Sequence, residues 1–209
     1  MSEEKLICDL CPSKKCYSKE GEFPKGCPTV DQPGMEEIKK LYKTEENYRI
    51  ARAACQTEKE GYLKDTRVEE IMRFCRKNDF KKIGIAFCIG LKYEARVFAD
   101  ILRKNGFEVH SMMCKSGGVP KEFLDIKDEE KIRPGTEEVM CNPIGQAEYL
   151  NAKGTNFNVI VGLCVGHDSL FTKYSDALVT TLVAKDRVLG HNPVAALYQA
   201  CLLYTSDAA

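Results

Sequence analysis

Several absences narrow this 209-residue sequence before any motif is considered. Net charge is missing, because 31 Lys and Arg balance 31 Asp and Glu. No global basic field therefore argues for nucleic acid or for an anionic membrane surface as a partner. Long apolar runs are missing too, and nothing approaches the roughly 20 residues of a membrane span. The opening MSEEKLICDL carries neither the basic n-region nor the apolar h-region of a secretory leader. These features lead us to expect a cytoplasmic protein with no membrane and no nucleic-acid partner. No G-x-G-x-x-G and no Walker sequence is present, so nucleotide binding has no motif behind it.

What the chain has instead of tryptophan is cysteine, with eleven of the one and none of the other. In a reducing compartment, dense cysteines are metal ligands, redox groups or small buried hydrophobes rather than disulfides. The odd number also leaves no complete pairing.

The first group lies in residues 8–33, CDLCPSKKCYSKEGEFPKGCPTVDQP, a segment with almost no aliphatic side chain and no means of folding on its own core. Cys8, Cys11, Cys16 and Cys27 have the spacing C-x2-C-x4-C-x10-C, and Pro28 follows the last of them as in many ferredoxin-type ligand runs. A shared metal ion or cluster is expected there. The C-x2-C pair suits iron–sulfur and zinc equally, while the absence of a second tight pair speaks against an ordinary zinc ribbon.

Helical patterns follow. PGMEEIKKLYK sets Met35, Ile38 and Leu41 on one face, with acids early and lysines late as the helix dipole prefers. TRVEEIMRFCRKN opens with the capping-box pair Thr66 and Glu69 and spaces Val68, Ile71, Met72 and Cys75 along one face. From residue 81 strands alternate with helices: KKIGIAFC, FEVHSMMC, FNVIVGLC and ALVTTLVA as strands, with helices after the first and third, from Asn142-Pro143 and from Asn192-Pro193. This grammar predicts an α/β fold with a small parallel sheet of about four strands, flanked by helices in a Rossmann-like, doubly wound manner. The expected organisation is a cysteine-rich knuckle over 1–33, a helical connector over 34–80 and the α/β domain over 81–204. Residues 202–209, within LLYTSDAA, read as a non-native tail.

In an open parallel sheet, ligands sit beyond the carboxyl ends of the strands. Cys88, Cys114 and Cys164 each follow a predicted strand and Cys141 opens a helix, so all four are expected to face one crevice. Within GLCVGHD, Gly166 permits the turn, and His167 and Asp168 begin the next helix. Four converging thiols suit an iron–sulfur cluster or zinc, with His167 or His191 able to replace one of them. The KDR run of Lys185, Asp186 and Arg187 lies on the same edge, where its cations suit a carboxylate or phosphate. Cys55, Cys75 and Cys201 read as core, and His110 as packed or surface-exposed.

CDLCPSKKC, the paired AFCIG and GLCVGHD, CNPIGQAEYLN and KDRVLGHNP together resemble an uncharacterised prokaryotic cysteine-rich family labelled as predicted metal-binding proteins or as a domain of unknown function. The likeness spans about residues 8–198. It implies metal binding and supplies no reaction.

The expected function is metal binding, by an iron–sulfur cluster or alternatively by zinc, with a redox or metal-dependent role. Cys88, Cys114, Cys141 and Cys164 would hold the cofactor. His167, Asp168, Lys185 and His191 would handle protons or a small anionic substrate or redox partner. Two alternatives are a cysteine-nucleophile enzyme built on Cys164, with a structural zinc knuckle, and a non-catalytic metal-dependent binding module.

Overall fold

The structure is a computed structural model that describes residues 8–13, 15–31 and 34–200. Cys201 and the segment after it lie outside the described residues. The chain divides into two compact units between Cys55 and Gln56.

The first unit is built from short pieces. A 3-10 turn at Cys8–Leu10 is followed by α1 (Lys15–Ser18), α2 (Pro28–Asp31), α3 (Met35–Leu41) and the start of α4 (Glu45–Gly61). Among its described residues, Cys27 and Ala53 are the only buried apolar side chains. The apolar face expected on α3 is not buried, since Met35 and Ile38 are half-buried and Leu41 is 60% exposed.

The second unit carries the sheet. It contains α5 (Arg67–Lys77), β1 (Lys82–Phe87), α6 (Lys92–Lys104), β2 (Glu108–Met113), α7 (Pro143–Ala152), β3 (Phe157–Val161), α8 (His167–Tyr174), β4 (Leu178–Val183) and α9 (Val194–Tyr198). All strand pairs are parallel, in the order β2-β1-β3-β4. The α/β expectation is met.

Alternation along the two central strands decides which helices cover which face. Ile83 and Ile85 of β1 and Val159 and Val161 of β3 pack with Ile71, Met72 and Cys75 of α5 and with Phe98 and Leu102 of α6. The intervening Ala86 and Ile160 turn to the other face, onto Ala147 and Leu150 of α7 and Phe171 of α8. Each large side chain so buried contributes about 1.5–3 kcal/mol. The capping box predicted at Thr66 is present: its hydroxyl accepts from the Glu69 N–H, and the Glu69 carboxylate accepts from the Thr66 N–H.

This topology fixes the working edge. The chain leaves β1 toward β2 on one side and leaves β3 toward β4 on the other, so the ends of β1 and β3 flank the point where strand order reverses. A crevice opens at such a point.

Candidate functional site at the strand ends

Cys88 directly follows β1, Cys114 directly follows β2, and Cys164 comes three residues after β3. Cys141 arrives by a different route. The segment after Cys114 runs out through two 3-10 turns and returns, closed by the backbone bonds from Lys121 N to Glu138 O and from Met140 N to Val119 O, both 2.8 Å. Lys131 stiffens it through Glu122 (2.6 Å) and Asp128 (3.1 Å). Asn142 then donates its N–H to the Cys114 carbonyl at 2.7 Å, which sets Cys141 beside Cys114. The same Asn142 caps α7 by accepting from the Gly145 N–H at 2.9 Å.

Cys88 and Cys114 are buried, Cys141 packs against them, and all three belong to one cluster. Cys114 stands in the middle, and its Sγ accepts the Ile89 N–H at 3.4 Å. Contact with the Cys114 thiol, then the Gly90 N–H and Lys185, holds Cys88 well below the ordinary thiol range. Cys141 is lowered in the same way, first by Cys114 and then by His167. Cys114 is driven far above the range by the Cys141 and Cys88 sulfurs and by burial. The middle thiol is thus held toward its protonated form and its two neighbours toward the thiolate. The partner beyond Cys141 is His167, whose pKa is raised chiefly by that thiolate. His167 Nδ1 is buried and has no hydrogen-bond partner.

Cations surround the row. Lys185 lies close to Cys88, and a Cβ added at Gly90 would come within 3.4 Å of Lys185 Nζ and 3.9 Å of Cys88 Sγ. The glycine of AFCIG therefore leaves room for that pair. Lys115 acts on both Cys141 and His167 through its charge, while its ammonium donates to the Val139 carbonyl. Arg187 Nη2 donates to Cys164 Sγ at 3.1 Å, an interaction that raises the Arg187 pKa.

The remaining expected residues are placed as follows. Gly166, at φ +84°, makes the turn into α8. Asp168 lies in the first turn of α8, where its carboxylate accepts the Ser169 N–H at 2.8 Å. His191, at φ +65°, closes its own loop: its Nδ1 accepts the Asp186 N–H at 3.1 Å, so the ring proton sits on Nε2. Asp186 in turn accepts from the Val188 and Leu189 amides. His110 lies on the edge strand β2, 2.8 Å from Glu108. Cys75 is core as expected, and burial pushes its thiol up to about 12. Cys55 corrects the expectation, being exposed, because it falls outside the buried stripe of α4 that Ala53 and Thr57 occupy.

One residue was missed. Gln146 of α7 is fully buried and donates its Nε2 to the carbonyls of Phe87 (3.2 Å) and Met112 (2.7 Å), the ends of the strands that lead to Cys88 and Cys114. A polar side chain in the CNPIGQA helix, four residues after the capping Asn142, was the available signal.

The amino-terminal cysteines are less closely gathered. A turn joins Cys11 N to Cys8 O at 3.2 Å, and Cys16 Sγ lies 3.7 Å from Thr29 Oγ1, two residues past the buried Cys27. Among the described residues, those of the strand-end crevice included, no group of three or more His, Cys, Asp or Glu side chains is placed to hold a metal ion. None of the described helices is long and apolar enough to cross a membrane.

Residues 27–182 match the family model described as "Protein of unknown function (DUF1847)". The chain is also 50% identical over 194 residues to "Uncharacterized protein MJ0455" of Methanocaldococcus jannaschii, covering 92% of this chain and 94% of that protein. No solved structure matches. The chain belongs to the DUF1847 family.

Proposed function

We propose that this member of the DUF1847 family is a metal-binding protein whose crevice at the strand ends carries a thiolate-ligated centre, an iron–sulfur cluster or alternatively zinc, with a redox or metal-dependent role. The observation that carries the proposal is the meeting of Cys88, Cys114 and Cys141. Three distant segments bring soft sulfur donors to one place, and a parallel sheet offers that place for ligands. By type, soft sulfur and imidazole donors suit such a centre. His167 adds a buried ring nitrogen without a partner, and Lys115, Lys185 and Arg187 supply positive charge to offset thiolate ligands.

An iron–sulfur cluster would supply one-electron chemistry, and zinc would supply Lewis acidity. The work of this chain is to prepare the donors. Cys88 and Cys141 are held toward the thiolate and Cys114 toward the thiol, so bringing three thiolates onto a metal releases protons and loading strengthens with rising pH. Arg187 and Lys185 also leave the crevice suited to a small anion. The amino-terminal Cys8, Cys11, Cys16 and Cys27 form a second proposed site, supported by how little apolar core the described residues of their unit bury. Small units of this kind depend on a metal or a cross-link.

The test is anaerobic reconstitution of the full chain with ferrous iron and sulfide, beside a parallel zinc loading. An iron–sulfur protein gives broad visible absorption that bleaches on reduction, and a Cys141→Ser variant loses the crevice share of the iron. Equal metal content in the wild-type and Cys141→Ser proteins contradicts the crevice site.

A second reading has its own support. Cys164 precedes α8, its carbonyl accepts the His167 and Asp168 amides, and its sulfur is held by Arg187, a partly exposed, electropositive setting of the kind in which catalytic cysteines sit. A colourless, zinc-loaded protein alkylated quickly at Cys164 would favour a cysteine-nucleophile enzyme over the redox reading.

A further inference from the structure

We infer that Cys88 and Cys114 are a reversible dithiol–disulfide couple, set opposite each other by the sheet and able to exchange with a small disulfide that enters the crevice. The couple needs no metal, so it stands or falls separately from the metal reading.

The sheet register sets the pair. Strands β1 and β2 run parallel with Phe87 opposite Met113, and the Cys114 N–H donates to the Phe87 carbonyl at 2.9 Å. One step further along both chains, Cys88 comes opposite Cys114. The Cys88 N–H is also held, by the Val161 carbonyl of β3 at 3.1 Å. Cys88 shares the parity of Ala86, and Cys114, its partner in register, takes the same side; all three lie in the buried cluster under α7 and α8. Neighbouring strands lie about 4.8 Å apart, inside the roughly 4.4–6.8 Å between α-carbons that a disulfide spans. The ladder does not run on past this point. The Ile89 N–H, next in line for the Cys114 carbonyl, donates instead to Cys114 Sγ at 3.4 Å, and that carbonyl accepts from the Asn142 N–H at 2.7 Å. Cys114 Sγ therefore sits against the Cys88–Ile89 peptide, and the pair lies at the loose end of the strands rather than inside the sheet.

Access and charge give the two sulfurs different roles. Cys88 is 7% exposed and Cys114 2%. Cys88 Sγ and Lys185 Nζ lie 3.9 and 3.4 Å from the one point that a Cβ on Gly90 would occupy. A cation beside a thiol favours the thiolate, which is the attacking form. The Cys88 thiolate attacks one sulfur of the incoming disulfide RSSR, whose S–S bond breaks, so that RS⁻ leaves and a Cys88–SR mixed disulfide forms. Cys114 passes its proton to the departed RS⁻ and attacks Cys88 Sγ. The second RS⁻ then leaves and takes up the proton that Cys88 had given to solvent. Two electrons have passed to RSSR, which departs as two RSH, and Cys88 and Cys114 are joined.

Hydroxyethyl disulfide is the probe, added without oxygen to the chelator-treated full chain, with circular dichroism confirming the fold of each protein. Free thiols are blocked with N-ethylmaleimide before digestion. Lys92, Lys115 and Lys153 let trypsin place Cys88, Cys114, Cys141 and Cys164 on separate peptides, so mass spectrometry reads each linkage directly. The main strand-end product expected in the wild type is Cys88 joined to Cys114, two hydrogens lighter than the dithiol and restored by dithiothreitol. Cys141→Ser and Cys164→Ser keep that product. Cys88→Ser and Cys114→Ser lose it, and Cys114→Ser holds the hydroxyethylthio group on Cys88. Cys114 joined mainly to Cys141 or Cys164 in the wild type overturns the couple, as does recovery of Cys88 and Cys114 as free thiols. The metal content of Cys141→Ser, which tests the metal reading, does not enter this map.

Discussion

The cysteines of this chain differ most in what surrounds each sulfur. Cys75 is fully buried in an apolar cluster, and its thiol is pushed up to about 12. Cys141 is lowered by Cys114 and His167. In metal-free native protein, alkylation of Cys141 is therefore expected to vary little between pH 6 and pH 8, since the group is a thiolate throughout. A free thiol, with a pKa of about 8.5, gains close to tenfold per unit over most of that range. Cys75 stays unmodified over the same range. Mass-spectrometric mapping of iodoacetamide adducts makes the comparison, and a free-thiol pH profile at Cys141 would contradict the charge pattern assigned to the row. Sequence alone placed Cys88, Cys114 and Cys141 together because their positions after strands and before a helix are topological facts. It gave no sign of the Arg187 contact at Cys164, because that contact depends on how the turn after β4 folds back. Cys55 was misread for a related reason: an alanine-rich helical stretch signals a helix without saying which side is covered.

At the scale of elements, α7 does more than cover the sheet. Its cap Asn142 bonds to the Cys114 carbonyl, and its Gln146 bonds to the carbonyls of Phe87 and Met112. One helix thus ties the Cys141 segment to the two strands that deliver Cys88 and Cys114. Gln146→Leu keeps the bulk but removes both bonds, and is expected to cost about 1–3 kcal/mol in urea unfolding. It should also weaken metal uptake at the crevice. A variant with unchanged stability and metal affinity would show that the strand ends hold their register without α7. The alternation of strands and helices from residue 81 was legible because apolar runs, glycine punctuation and the Asn-Pro helix start are local signals. The same Asn-Pro signal shifts by one at α9, where Pro193 rather than Asn192 occupies the cap. The path from Lys115 to Met140 was not legible, since its closure depends on pairings such as Lys121 with Glu138 and Lys131 with Glu122.

Across the whole molecule, the two units offer very different means of staying folded. The second has a sheet covered on both faces by apolar clusters. The first buries little beyond Cys27 and Ala53 among its described residues, and four cysteines stand within its first 27 positions. On the proposed reading both units hold metal, as part of the fold in one and as the reactive centre in the other. Native mass spectrometry of the full chain, isolated without oxygen and never reconstituted, tests that claim most directly. The expected result is an intact mass carrying metal or iron and sulfide at both sites, reduced by one site's complement in Cys141→Ser and by the other's in Cys11→Ser. A wild-type chain at its bare apo mass, from cells grown with ample iron and zinc, would contradict it.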